Sequence, residues 1–333
     1  MVKSVADDKL LALRAKGVQS DALDARLAFM KARQVLSHYV NPLVRKRRVY
    51  PRMTAPQATG RLSVSAPPLI NFPPSIRDIV VPDEGWAWVE WDWEAVEARI
   101  VAHLCRDEAD LAAFRQGHDI HTVTLVHMFG LLPCPVGWKK AQLFGTEEGR
   151  AWCAALPVPD PPYHDKHRWR TLVKNTRYTL QYAKRPEALT VYASEFSMPP
   201  EELVNFGRRY LASKPALVAW KQRTWAECWE RRVVYTAYLG RRRYLYGDRK
   251  SIEKEGLNTK VQGSVADLMR ETVGLVCGVF PEAHLAYQTH DGVKTALPKD
   301  LVTSEVRERI KSIVEREVVM EGRPIRFPAT WGE

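Results

Sequence analysis

The run Trp86 to Asp92 (WAWVEWD), leading straight into Glu94 to Leu104 (EAVEARIVAHL), constrains the fold more than any other part of the chain. The first segment is aromatic and alternating, which predicts a strand, and the second carries apolar residues at helical spacing. Asp92 therefore falls where strand gives way to helix. Further on, His284 to Thr289 (HLAYQT) and Val293 to Leu297 (VKTAL) read as two short strands joined by a tight turn at Asp291 and Gly292. That turn presents a second carboxylate. Taken singly, an Asp at a strand end is more often a solvated turn or cap residue, so neither carries a functional reading alone.

The rest of the chain reads as one assembly of two or three packed subdomains, as 333 residues allow. Residues 5 to 40 predict two charged helices, and Val40 to Pro73, rich in Pro, Arg and Ser, suits an extended segment lying on another surface. The proline-rich stretch Gly130 to Pro162 lacks sustained periodicity and reads as a loop-rich insertion, spanning about 130–166, before a long helix. Helices are expected at Pro200 to Ala212, Lys214 to Arg232 and Gln262 to Cys277, with a Gly-Arg-rich turn at Gly240 to Arg243. By default the eleven tryptophans read as packing residues.

A net charge of +11 favours a polyanionic partner, because each cation that neutralises a phosphate releases a counterion. No apolar run is long enough to span a bilayer, and the N-terminus lacks a secretory layout, so a cytoplasmic setting is expected. The five cysteines form no C-x-x-C pair and are expected to be reduced. Cys134, Cys153, His164 and His167 fall in or beside the insertion at irregular spacing, and an ordinary loop is the reading there.

Chemistry enters with the segment WRTLVKNTRYTLQYA, in which Arg170, Lys174, Tyr178 and Tyr182 recur every fourth residue. On a helix of 3.6 residues per turn they form one slowly drifting stripe, with two cations leading and two aromatics following. Such a stripe can grip a triphosphate and face a sugar and base, although a solvated basic face with a packed aromatic edge has the same pattern. Paired carboxylates suit the same chemistry, since nucleotidyl transfer needs hard divalent cations at the attacking and leaving oxygens.

In order and spacing, these motifs resemble those of the family-A DNA polymerases. TGRLSVSAPPLINFP at Thr59 to Pro73 resembles the primer-contacting segment, DWEAVEARIVAHL from Asp92 resembles motif A, and GHDIHT at Gly117 to Thr122 follows at the family spacing. The Arg170 stripe looks like motif B, the mobile fingers helix. GRRRYL at Gly240 to Leu245 and VQGSVADLMR at Val261 to Arg270 resemble later palm segments, and THD at Thr289 to Asp291 resembles motif C.

The resemblance implies an α+β right-hand fold: a helical lead-in or vestigial thumb over residues 1–58, palm over 59–117, fingers over 118–239 and palm again over 240–333. It implies a DNA-directed DNA polymerase that extends a primer with dNTPs by a two-metal mechanism, using Mg²⁺, with Mn²⁺ able to substitute. Asp92, Asp291 and the carbonyl of Trp93 would be metal ligands. Arg170 and Lys174 would hold the triphosphate, with Lys174 as a candidate proton donor to pyrophosphate. Glu97 with Tyr182 would bar a ribose 2′-OH, Tyr178 would face the sugar, and Arg99 would support the site through hydrogen bonds. Arg61, Asn258 and Gln262 would touch the minor groove of primer-template DNA and His290 the primer end, checking geometry without reading sequence.

The chain departs from the family pattern at Gly292, where Glu usually follows the motif C acid, and at Trp93, where Tyr is common. Only 58 residues precede Thr59, so no proofreading exonuclease is expected in this chain, and a separate chain supplying thumb, exonuclease or processivity function is an expected partner. The alternatives are a basic nucleic-acid-binding subunit with an inactive palm, and a primase or polymerase that uses ribonucleotides.

Overall fold

The computed structural model describes residues 10, 20–44, 46–54, 58–129, 147, 151, 166–196, 198–289 and 291–332. Its helices are α1 (Asp21–Val35), α2 (Val96–Cys105), α3 (Glu108–Arg115), α4 (Ile120–Phe129), α5 (Lys166–Tyr182), α6 (Pro200–Ala212), α7 (Pro215–Arg231), α8 (Arg249–Asn258), α9 (Ser264–Val279) and α10 (Ser304–Val314), with one helical turn at Ala193–Phe196. Its strands are β1 (Arg52–Thr54), β2 (Ser63–Ser65), β3 (Trp86–Trp93), β4 (Val233–Tyr235), β5 (Arg242–Tyr244), β6 (His284–Gln288), β7 (Gly292–Pro298), β8 (Val318–Met320), β9 (Arg323–Ile325) and β10 (Ala329–Trp331). Two compact units result: Ala25–Glu97 with Glu227–Glu333, and Met1–Asp24 with Ala98–Ala226.

The first of these units is built on a four-stranded sheet of order β10-β3-β7-β6, antiparallel throughout. Its central pair runs from Trp86 opposite Pro298 to Asp92 opposite Gly292. Successive side chains on a strand point to opposite faces, and burial follows that period. Val89, Trp91 and Trp93 on β3 and Val293, Thr295 and Leu297 on β7 are buried on one face, while Glu90 and Asp92 belong to the other. The indole of Trp93 donates to the Val314 carbonyl at 3.2 Å, tying α10 beneath the sheet, and Phe327 packs beside the same ring. Burying one indole removes roughly 150–250 Å² from water, about 4–6 kcal/mol at 25 cal/mol per Å². Aromatic packing on one face thus turns Asp92 outward on the other.

The other unit is helical. Asp107 caps α3 by accepting from the Asp110 amide, which satisfies one of the orphan donors of a first turn. In α5 the residues Leu172, Val173, Thr176 and Leu180 are fully buried, and Leu189, Leu203 and Phe206 are buried in the segments that follow.

The expected strands at Trp86 and on both sides of Asp291 are present, as are helices at Pro200–Ala212 and Pro215–Arg231. Along α1 the apolar positions Leu23, Leu27, Met30 and Val35 are the shielded ones, Leu23 buried and the other three half-buried, while the rest of the helix is exposed. Other expectations need adjustment. The Gly-Arg-rich turn leads into β5, paired with β4, and the helix expected from Gln262 is preceded by α8 and a π-helical turn at Thr259–Gly263. The insertion expected at 130–166 lies almost wholly outside the described residues, and so do Cys134, Cys153 and His164.

Gly292 marks the tightest approach in the sheet. A Cβ there would lie 2.5 Å from the Trp91 carbonyl oxygen and 2.8 Å from Asp92 Oδ2. Gly292→Ala is therefore expected to push β7 away from β3 and to cost about 1–3 kcal/mol, the usual range for overpacking. A urea midpoint unchanged by the substitution would show that the strands have room to spare.

Candidate functional site

The outward carboxylate of Asp92 sits at the end of β3, opposite Gly292 on one side and Thr330 on the other. Thr330 Oγ1 donates to the Asp92 carbonyl at 3.2 Å, which fixes the strand end. Asp291 occupies the turn between β6 and β7. Its carbonyl accepts from the Trp93 amide at 2.9 Å, so the two acids follow one another around a single backbone junction. The turn is locked by Thr289, whose amide donates to the Gly292 carbonyl at 2.8 Å and whose Oγ1 accepts from the Gly292 amide at 2.9 Å.

Two further sequence-predicted residues join this end of the sheet. Arg61 bonds Glu97 in a nearly buried ion pair, and its Nη2 lies 3.7 Å from Asp291 Oδ1. The sequence reading gave Arg61 to a DNA groove and Glu97 to a sugar; in the structure they hold one another. Trp93 has its ring in the core and its amide on Asp291, leaving only the backbone carbonyl for a ligand role. Asn258 ends α8 and Gln262 lies in the π-helical turn after it, both half-buried. His290 lies outside the described residues.

Among the described residues no group of three or more His, Cys, Asp or Glu forms a ready metal cage. The donor chemistry at the strand ends nevertheless fits a hard divalent cation. Two aspartates share one backbone junction, Asp92 exposed and Asp291 half-buried, and Gly292 puts no side chain between β7 and Asp92 Oδ2.

The stripe on α5 belongs to the helical unit and is divided in its surroundings. Lys174 is exposed, and Tyr178 and Tyr182 are half-buried. Arg170, by contrast, is buried and donates through Nε to Asp119 Oδ2 at 2.8 Å, with Nη2 on the other oxygen. Thr122 adds a hydroxyl and an amide to Asp119 Oδ2, at 2.7 and 2.9 Å. Burial by itself would raise the Asp119 carboxyl; the Arg170 guanidinium overrides it and, with smaller help from His121 and Thr122, holds the group at about 2.

His121 stands beside them, its ring 6.0 Å from that of Tyr178. Burial, reinforced by Arg177, Arg170 and Lys174 against the opposing pull of Asp119, lowers its pKa to about 3, so the imidazole is neutral near neutral pH. Both residues lie in GHDIHT, the segment that follows motif A at the family spacing. The available signal was Asp119 as the acid opposite an Arg whose place on the helix begins at the buried edge. Arg99 places its guanidinium over the Phe114 ring at 4.3 Å, a cation–π contact.

Comparison with known proteins gives this arrangement its lineage. The family model for DNA polymerase family A matches residues 3–138 and 158–331. The chain is 31% identical to the thermostable DNA polymerase I of Thermus filiformis, over 98% of this chain and 37% of that protein. Identity to the DNA polymerase I of Pseudomonas aeruginosa is 28%, over 79% of this chain and 27% of that protein. The chain thus spans little more than a third of the length of the curated relatives it matches. In fold it resembles the POL domain of Pol1 from M. smegmatis, solved in complex with DNA primer-template and dNTP, with a TM-score of 0.72 at 22% identity, covering 93% of this chain and 52% of that one. The family match over most of its length, together with relatives at 30% identity or more, makes this chain a member of DNA polymerase family A.

Proposed function

We propose that the chain is the catalytic palm and fingers of a DNA-directed DNA polymerase, extending a primer 3′-OH with dNTPs on a DNA template. Supporting this reading above all is the register that sets Asp92 opposite Gly292 while the Asp291 carbonyl receives the Trp93 amide. Asp92 and Asp291, with the Trp93 carbonyl, would hold two Mg²⁺ ions, or Mn²⁺ in their place. When bound, these ions supply charge stabilisation at the attacking and leaving oxygens. Primer-template DNA and dNTP, the ligands named for the mycobacterial relative, are proposed for this chain as well.

The chain's own groups then divide the work. Lys174, exposed on α5, would meet the triphosphate and donate a proton toward departing pyrophosphate. Arg170 spends Nε and Nη2 on Asp119, so its first effect would be to hold α5 and Asp119 together. Glu97, kept in place by Arg61, would narrow the space for a 2′-OH, and Tyr178 would present its phenol to the sugar. Asn258 and Gln262 would contact the duplex without base selectivity.

The decisive assay is primer extension with Mg²⁺ and dNTPs or rNTPs. Asp92→Ala and Asp291→Ala should each lose activity on the order of a thousandfold, because several kcal/mol of charge stabilisation go with the metal, while primer-template binding persists. Template binding without extension by the wild-type protein would overturn the catalytic reading, and efficient rNTP extension would overturn the role of Glu97.

A second outcome concerns Tyr178. A phenol hydroxyl can stand in for the missing 3′-OH of a chain terminator, so dideoxynucleotides should be incorporated readily. Tyr178→Phe should reduce their use roughly 10- to 100-fold relative to dNTPs, the worth of one strong hydrogen bond. Equal dideoxynucleotide use by both proteins would remove the phenol from the sugar site.

A further inference from the structure

Arg177 plays no part in the mechanism above, yet it is among the most completely enclosed charges in the helical unit. It follows Arg170 by seven residues, which brings the two to within about 20° of one another around α5. Each is buried on an acid from a different segment, Arg170 on Asp119 and Arg177 on Asp110. The second pair is part of a larger cluster. Arg177 Nη2 donates to Asp110 Oδ2 at 2.8 Å, and Nη1 donates to Thr124 Oγ1 at 2.6 Å. Lys214 Nζ donates to Asp110 Oδ1 at 2.5 Å and lies 3.2 Å from Asp107 Oδ2.

The cluster joins α3, α4, α5 and the junction between α6 and α7, and its four charged side chains are each 10% exposed or less. Asp107 and Asp110 balance Arg177 and Lys214, so no net charge is buried. A balanced buried cluster of this kind contributes little stability over an apolar core of the same shape. Its particular property is direction. A planar guanidinium bonded through two nitrogens to partners on two helices admits one rotation of the helix that carries it. Lys174 precedes Arg177 by three residues and Tyr178 follows it directly, so that rotation turns the ammonium to solvent and sets the phenol at the edge of the buried face.

We infer that Arg177, clamped by Asp110 and Lys214, is a positioning residue for nucleotide binding: it fixes the rotation of α5 and so the direction of Lys174 and Tyr178 toward triphosphate and sugar. The inference rests on the polymerase reading of those two side chains. Arg177 touches no reacting atom; it acts through its neighbours on the helix.

Three variants test this: Arg177→Met, Arg177→Lys, and the double variant Asp110→Asn with Arg177→Met. The single Met variant leaves two acids facing one lysine and should melt earlier, with KM for dNTP raised on the order of ten- to a hundredfold, the usual effect of a misplacement near 1 Å. Its affinity for primer-template should match wild type. In the double variant Asp107 and Lys214 again balance, so the melting temperature should recover while KM stays high. A KM that recovers together with the melting temperature would show a purely structural cluster and overturn the inference. Arg177→Lys keeps the charge but not the fork, and should fold with an intermediate KM; a wild-type KM in this variant would also overturn it.

A readout without turnover keeps the two readings apart. Acylation of Lys174 by an amine reagent, followed by mass spectrometry, should be suppressed by Mg²⁺ and dNTP in the wild type and less so in the Met variants. Suppression in the wild type without primer extension would sink the polymerase reading alone. Suppression that is absent from the wild type, or equal in every variant, would sink the role of Arg177.

Discussion

The antiparallel register of β3 on β7 is the constraint from which the carboxylate site follows. Its strength comes from the side chains on the buried face. One backbone hydrogen bond, such as that from the Trp93 amide to the Asp291 carbonyl, contributes about 1 kcal/mol net. Trp91 and Trp93, each 1% exposed, contribute several kcal/mol apiece through apolar burial. A slip of one residue would turn both rings to water and Asp92 into the core, and no local bond could offset that. The acid is held outward by indoles on the opposite face of the sheet.

In the helical unit, orientation rests on charge as well as on burial. The residues Leu172, Val173, Thr176 and Leu180 give α5 an inward face, but aliphatic packing tolerates a few degrees of rotation more readily than a bidentate guanidinium does. Arg170 and Arg177 each engage an acid with two donors or two partners, two turns apart. The same enclosure explains the charge states. Asp110, where burial acts to raise the pKa, is held at about 2 by Arg177 and Lys214 and is ionised near neutral pH. The cluster works as a fixed brace and not as a switch.

Much of this was legible in the sequence where the signal is local. A strand that breaks into a helix at Asp92, and a tight turn at Asp291, follow from alternation and from turn-forming residues within a few positions. The stripe on α5 was legible as a stripe but not in its surroundings, since periodicity places residues on a helix without saying which edge is buried. Arg170 and Lys174, four residues apart, sit on opposite sides of that edge. The pairing of Arg177 with Asp110, and of Lys214 with the same acid, was not legible. These partners are 67 and 104 positions apart, and each alone resembles a solvated surface charge. Strand β10 was missed because three residues carry no measurable period.

Gly292 draws the two kinds of evidence together. Read as sequence, it is a replacement, a glycine where an acid usually follows the motif C aspartate. In the structure it is also a distance: the absent side chain is what lets β7 come so near β3 that a Cβ would meet both the Trp91 carbonyl and the Asp92 carboxylate. The space a second acid would need is already taken, partly by the first. The departure is therefore not an isolated loss to be scored against activity. It is coupled to the position of Asp92 Oδ2, 2.8 Å from where a Cβ at 292 would sit, and a longer residue there would have to displace that carboxylate.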